Sequence, residues 1–189
     1  MNQIVSSIRK LYPVSDASID ELTDKMTRLE LPKKHTLIRS GVVERNYFFI
    51  EKGLTRSYCL FDGNEVTSWF SQEGEITFSM LGSYHKKPGF ENVDLLEDSI
   101  IYALPVDVLN LLYETNLEIA NWSRLVHQNA FLELEIRHIA MVSQSAKERY
   151  ENFIKEKPAI MRRVNLGYIA SFLGMSQVSL SRLRAKHIF

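Results

Sequence analysis

The sequence is poor in the residues that most chemistry needs. It has one cysteine, Cys59. A single thiol excludes an internal disulfide framework, a zinc site built of cysteines and a four-thiolate iron–sulfur cluster. Cys59 lies in a strand-like run and reads as an inert buried thiol, with redox sensing as the alternative. No apolar run approaches the ~20 residues of a membrane span. The opening Met1-Asn2-Gln3-Ile4-Val5-Ser6-Ser7-Ile8-Arg9 has no apolar signal-peptide core. A cytoplasmic location with no membrane partner is the expectation. His35, His85, His127, His138 and His187 show no HxxxH or HExxH spacing, so no metal site is expected. There is no nucleophile elbow and no acid–base set, so neither an enzyme nor a cofactor is expected.

Acidic residues are missing from one end. The 189 residues carry 23 basic and 23 acidic side chains. Residues 1–142 hold 14 Lys+Arg against 20 Asp+Glu, and residues 143–189 hold 9 against 3. The two parts therefore carry net charges of −6 and +6. After Glu156 no acid follows, while Lys157, Arg162, Arg163, Arg182, Arg184 and Lys186 do. An acidic body with a basic end suggests two modules, the second facing a polyanion; a solvated basic surface is the alternative.

Periodicity divides the chain three ways. Ser15-Asp16 reads as a helix start, and Ile19, Leu22, Met26 and Leu29 recur at helical spacing, predicting a helix over 16–30. Short alternating runs then follow at His35–Arg39, Tyr47–Glu51, Leu54–Phe61, Val66–Ser71 and Ile100–Leu104, punctuated by Ser40-Gly41, Lys52-Gly53, Asp62-Gly63 and Pro88-Gly89. Asp62-Gly63 is a hairpin signal because both residues tolerate positive φ. Many short strands with no long helix between them predict a small antiparallel barrel or sandwich. From Val106 the helical period returns, with helices predicted over 106–114, 117–142 and Ser145–Glu156, the last ended by Pro158. In the long one, Leu117, Trp122, Leu125, Val126, Phe131, Leu132, Leu134, Ile136, Ile139 and Val142 cover more than one stripe. Such a helix has more to bury than its own barrel can cover, which points to the same helix of a second copy; burial within a monomer is the alternative.

The most specific pattern is Leu166–Ala185. Small Ala170 and Gly174 stand four apart among Ile169, Leu173, Met175, Leu180 and Leu183. This is helix-turn-helix spacing: Ala170 lets the second helix cross closely, and Gly174 takes the left-handed turn. Ser176 caps the second helix and leaves its amides free for a phosphate. The outward positions are then Gln177, Val178, Ser181, Arg182 and Ala185. Gln can read adenine and Arg guanine through paired hydrogen bonds, and Val178 can meet a thymine methyl. Ser179, Lys186, Arg162 and Arg163 are candidates for backbone phosphates. A three-helix bundle without a DNA role is the alternative.

Helix, barrel, long helix and helix-turn-helix in this order resemble the Crp/Fnr family. Ala146-Lys147-Glu148-Arg149-Tyr150, Pro158, Val164–Ser176 and Leu180-Ser181-Arg182 look especially like its Bacteroidetes branch. The resemblance implies an α+β fold: an N-terminal jelly-roll barrel of cyclic-nucleotide-binding type (1–115), a dimerisation helix (116–142) and a helix-turn-helix domain (143–189). It implies a homodimer through 117–142 reading a palindromic operator. Arg182 matches the family's base-reading arginine, whereas Gln177 and Val178 replace Arg and Glu of better-known members. The family usually continues into a β-wing; with seven residues after Arg182, the wing is expected either to be absent or to be cut off.

The nucleotide pocket departs from the pattern. Cyclic-AMP-binding members use Gly-Glu and then Arg-Ser or Arg-Thr. Here Phe78-Ser79 and Gly89-Phe90 fall at those pairs, and no arginine lies between Arg56 and Arg124. Burying a cyclic phosphate without its charge partner is costly. Trp69, Phe78 and Phe90 either line a pocket for another small-molecule effector or belong to the core. Two functions remain open: a DNA-binding transcription regulator with an effector other than cyclic AMP, and a sensor module whose incomplete helix-turn-helix no longer grips DNA.

Overall fold

The structure is a computed structural model that describes residues 1–186, Lys186 by its backbone alone. Two helices open the chain, α1 (Asn2–Leu11) and α2 (Asp16–Thr23). Eight strands follow: β1 (Thr27–Leu31), β2 (Thr36–Ile38), β3 (Asn46–Lys52), β4 (Thr55–Phe61), β5 (Asn64–Ser71), β6 (Ile76–Thr77), β7 (Asn92–Leu95) and β8 (Ser99–Pro105), with helix α3 (Met80–His85) between β6 and β7. Six helices complete it: α4 (Val106–Thr115), α5 (Leu117–Ser143), α6 (Ala146–Glu156), α7 (Pro158–Arg163), α8 (Leu166–Phe172) and α9 (Gln177–Lys186).

The strands make two four-stranded antiparallel sheets, ordered β1-β8-β3-β6 and β2-β7-β4-β5. The expected barrel is therefore two facing sheets and does not close. Strand β3 shows how they are held. Tyr47, Phe48, Phe49 and Ile50 are all buried. With side chains alternating, Tyr47 and Phe49 enter a cluster with Ile4, Ile8, Leu109 and Trp122, while Phe48 and Ile50 enter the inter-sheet cluster with Ile38, Val93 and Ile101. A continuous apolar run is what a strand covered on both faces requires.

Two local expectations are corrected. The helix predicted over 16–30 ends at Thr23, and Thr27–Leu31 is a strand with Leu29 opposite Ile101. Leu29 and Leu31 pack on the inter-sheet cluster at period two, so tertiary burial overrides the helical spacing. Helix α1 was not expected. Its Ile4 and Ile8 form one buried stripe, and the Glu51 carboxylate accepts hydrogen bonds from the amides of Asn2, Gln3 and Ile4. That carboxylate also favours the positive end of the helix dipole.

The Lys52-Gly53 turn between β3 and β4 is tight. Gly53 has φ +114°, and a Cβ there would stand 2.1 Å from Ser99 Oγ. Its amide donates to Glu73 Oε1 at 2.9 Å. We expect Gly53→Ala to lower stability by about 2 kcal/mol, since both the backbone conformation and the space exclude a side chain. Urea denaturation followed by circular dichroism checks this.

Candidate functional site

The C-terminal helices are built by strong local signals. Ser145 opens α6 with a capping box, its hydroxyl accepting from the Glu148 amide while Glu148 accepts from the Ser145 amide. Pro158 stands at the first turn of α7. Asn165 caps α8 by accepting from the Tyr168 amide at 2.9 Å. Gly174 follows α8 with φ +63°, the left-handed conformation, and a Cβ on it would press on Met141 Cε of α5 at 2.3 Å. Arg149 locks this turn by donating to the Leu173 carbonyl at 2.9 Å. Ser176 caps α9, accepting from the Ser179 amide at 3.1 Å.

The two helices cross on Ile169, Ala170, Leu173 and Leu180, all buried, with Leu183 partly buried. That leaves the outer face of α9 free. Gln177, Val178, Ser179, Ser181 and Arg182 are exposed, as are Ser176 before them and Arg184 beyond. The Ser179 hydroxyl is 2.9 Å from that of Ser176. Gln177 Oε1 lies 3.3 Å from where a Cβ of Gly167 would be, so the amide leans over the start of α8. The side chain of Lys186 and all of His187 lie outside the described residues. The arrangement is a convex helix face of amide, hydroxyl and guanidinium groups, shaped to reach hydrogen-bonding edges in a groove.

The two arginines before α8 separate. Arg162 is exposed. Arg163, expected at a phosphate, is instead engaged by its own chain. Its guanidinium donates to Glu73 at 2.8 Å and to Glu97 at 2.7 and 3.0 Å. These hydrogen bonds raise the Arg163 pKa further. Burial alone would raise the Glu73 carboxyl, but the bonds from Arg163 and the Gly53 amide overcome this and hold it low.

Sequence reading missed a second arginine contact. Arg56 of β4 is 2% exposed. Its guanidinium lies 3.6 Å from the ring centre of Tyr168 on α8 and 4.5 Å from that of Tyr58. It donates to Thr67 Oγ1 at 2.9 Å and to Glu65 Oε2 at 2.5 Å. The only signal for it was a charged residue inside the apolar run Leu54–Phe61.

The candidate effector residues do not form one site. Ser79 is fully buried and caps α3. Gly89 abuts it, since a Cβ on Gly89 would stand 2.5 Å from Ser79 Oγ. Phe90 turns outward, 62% exposed. Trp69 is half-buried with Lys157 Nζ 5.5 Å from its ring centre. Phe78 packs between Tyr47 and His127, at ring distances of 4.5 and 5.4 Å. Beside Gly89, Glu91 Oε1 is buried without a hydrogen-bond partner among the described residues. Cys59 is half-buried rather than enclosed, because β4 there runs out to the exposed Leu60 and Phe61.

Helix α5 joins the two halves. Ile119 and Trp122 are buried against the first cluster. Next to them Tyr113 Oη is 2.7 Å from Ser123 Oγ, and the His127 Nδ1–H donates to the Ser123 carbonyl at 2.8 Å. Burial pushes Tyr47, Tyr84 and Tyr113 up to about 12, so these phenols stay neutral donors between α3, α4 and α5. Further along, α5 exposes Phe131, Leu132, Leu134, Ile136, Ile139, Met141 and Val142, from 42% to 78%. No helix among the described residues is long and apolar enough to cross a membrane.

No family model matches the sequence, and no curated protein matches it. Solved structures do. FixK2 from Bradyrhizobium japonicum superposes with a TM-score of 0.74 at 16% identity, over 85% of this chain and 83% of that one. The c-di-GMP-responsive regulator CLP from Xanthomonas campestris gives 0.72 at 14% identity, over 91% of each chain. A transcriptional regulator of the Crp/Fnr family from Eubacterium rectale gives 0.70 at 15% identity, over 95% of this chain and 88% of that one. The chain thus has the fold of Crp/Fnr regulators, across its strands and its C-terminal helices alike.

The cap at Ser176 sets where α9 begins. Ser176→Ala is expected to cost about 1 kcal/mol of helix stability. Hydrogen exchange should show it as faster exchange confined to the first turn of α9.

Proposed function

We propose that this chain is a DNA-binding transcription regulator that acts as a homodimer on a palindromic operator. The observation that carries the reading is the exposed face of α9. Its inner residues Leu180 and Leu183 pack on α8, while Gln177, Val178, Ser181 and Arg182 face outward. The fold shared with Crp/Fnr regulators supports it, as does the +6 charge of residues 143–189. Ser176, Ser179, Lys186 and Arg162 are assigned to backbone phosphates, and Gln177, Val178, Ser181 and Arg182 to base edges.

The dimer is inferred from α5. Seven large apolar side chains from Phe131 to Val142 face outward along one helix. Exposed apolar surface of this size marks an interaction surface, and a two-fold pairing of α5 would cover much of it with the same residues of the second copy. That pairing sets two reading helices about 34 Å apart, one turn of DNA.

The effector is assigned to the sensor half and is not cyclic AMP. The positions that would hold a cyclic nucleotide's ribose and phosphate are Ser79 and Gly89, and beside them Glu91 Oε1 is buried without a partner among the described residues. Neither position supplies a guanidinium for a cyclic phosphate, and the group next to them is a carboxyl. The alternative, a sensor that no longer grips DNA, is disfavoured because the turn, the cap and the crossing of α8 and α9 are intact.

Selection from random duplexes, followed by mobility shift on the selected site, tests the main reading. Enrichment of an inverted repeat is expected. Arg182→Ala should weaken binding by about 1–3 kcal/mol, roughly five- to 150-fold, with an unchanged circular dichroism spectrum. Recovery of no sequence would defeat the proposal. Calorimetry with cyclic AMP should return no binding; micromolar affinity would overturn the effector assignment.

A further inference from the structure

Besides the apolar contact of Leu54 and Phe70 with the C-terminal helices, polar side chains tie the reading helices to the sensor half at two separate points. At the first, Arg163 at the end of α7 is held between Glu73, in the β5–β6 turn, and Glu97, in the β7–β8 loop. Three parts of the chain distant in sequence meet there. At the second, Arg56 of β4 lies flat on Tyr168 of α8. Beside it, Ser171 Oγ accepts from the Thr67 amide at 2.9 Å and donates to the Glu65 carbonyl at 3.1 Å. One attachment point would leave a hinge. Two points on successive helices fix an orientation.

We propose that the Arg163–Glu73–Glu97 clamp, together with Arg56 under Tyr168, acts as the positioning device that sets the bearing of α9 and hence the distance between the two reading helices of a dimer. The inference rests on the DNA-reading, dimeric function proposed above and names the residues through which the sensor half controls it. Chemistry explains the choice of residues. A guanidinium presents five donors in a rigid plane, so two carboxylates fix its direction as well as its place. A lysine would be held as a point charge. Glu73 is itself anchored, because its Oε1 also accepts the Gly53 amide at 2.9 Å.

The clamp differs from a stabilising ion pair in what it should do when removed. Arg163, Glu73 and Glu97 keep 25%, 29% and 35% of their side-chain surface exposed, so water can solvate all three groups once the clamp opens and offset much of what its hydrogen bonds supply. Loss of the clamp is thus expected to alter geometry far more than melting. It also differs from a phosphate contact. If Arg163 were a DNA ligand, freeing it from the carboxylates would tighten binding, and removing it would lower the salt slope by about one.

The test uses the full chain. In a Cys59→Ser background, Arg184→Cys on the exposed side of α9 carries one spin label per chain, and pulsed dipolar spectroscopy reads the distance across the dimer without DNA. A single narrow distribution is expected for the parent and a broad one for Glu73→Gln with Glu97→Gln. A narrow distribution in both overturns the clamp alone. No dipolar coupling in the parent removes the dimer, and both readings fall. Mobility shifts on operators whose half-sites are moved apart by one to four base pairs give a second readout. The parent should prefer one spacing by at least ten-fold, and the double variant should lose that preference. Uniformly weaker binding at every spacing, or tighter binding of the double variant with the preference kept, overturns the proposal. Should the double variant fail to fold, Arg163→Lys keeps the charge, loses the fork and should flatten the preference in the same way.

Discussion

The C-terminal helices complete their core with residues of β5 and of the β3–β4 turn. Leu54 and Phe70 sit in one apolar cluster with Tyr150, Phe153, Ile160, Ile169, Phe172 and Leu180. A segment of the size of 144–186 is close to the limit below which a chain cannot bury enough surface to fold alone. Borrowing Leu54 and Phe70 removes that deficit and has a geometric consequence. Phe172 lies on Phe70 at a ring distance of 5.3 Å and on Phe153 at 5.7 Å, so α8 has one resting place on the strands. The polar contacts around it then cost little to form. Arg56, Ser171 and Arg163 are brought to their partners by the apolar contact and supply direction that burial, being non-directional, cannot.

The same contact explains why a buried arginine is tolerated. Arg56 would be expensive in an apolar seam, since an uncompensated buried charge costs several kcal/mol. Here its plane is covered by Tyr168 and Tyr58, and its edge donates to Thr67 and Glu65. Tyr168 comes from the C-terminal half and the rest from the strands. The ion pair and the hydrogen bond are thus supplied within the strands, and what the C-terminal half adds is the Tyr168 ring, which covers the guanidinium plane only when the two halves are together.

The helix-turn-helix was legible because local rules and packing agree there. The left-handed turn at Gly174, the cap at Ser176 and the small Ala170 at the crossing each act within a few residues, and the structure uses all three. The strands at Tyr47 and Ile100 were legible for a similar reason, as apolar runs that fit a sheet covered on both faces. What could not be read depends on contacts between distant segments. Met26 and Leu29 keep helical spacing with Ile19 and Leu22, but the pairing of Leu29 with Ile101 decides their conformation. Glu51 completes the start of α1 from across the fold, and nothing near either residue announces it. Arg163 was read by charge and position as a phosphate ligand. Its two carboxylates stand 90 and 66 residues away, and only the fold of the sheets brings them to it.

That reassignment changes how the charge division should be understood. A basic end on an acidic body suggests a simple dipole with its positive pole toward DNA. The structure draws the boundary elsewhere. Arg163 and Lys157 are paired with carboxylates of the body, Glu73 and Glu97 for the first and Glu133 for the second. Arg149 is turned inward onto carbonyls of the turn. Among the described residues from 143 on, the exposed cations are then Lys147, which pairs with Glu151, Lys155, Arg162 and, on α9, Arg182 and Arg184. The two cations of this end that pair with the body are thus neutralised by it, while those of α9 are left exposed. Within a Debye length of ~8 Å, a polyanion at α9 would meet exposed arginine, whereas Arg163 and Lys157 would offer it charge that is already paired. The acidic body therefore does more than balance the total: through Glu73, Glu97 and Glu133 it neutralises the cations it touches and leaves the arginines of α9 exposed.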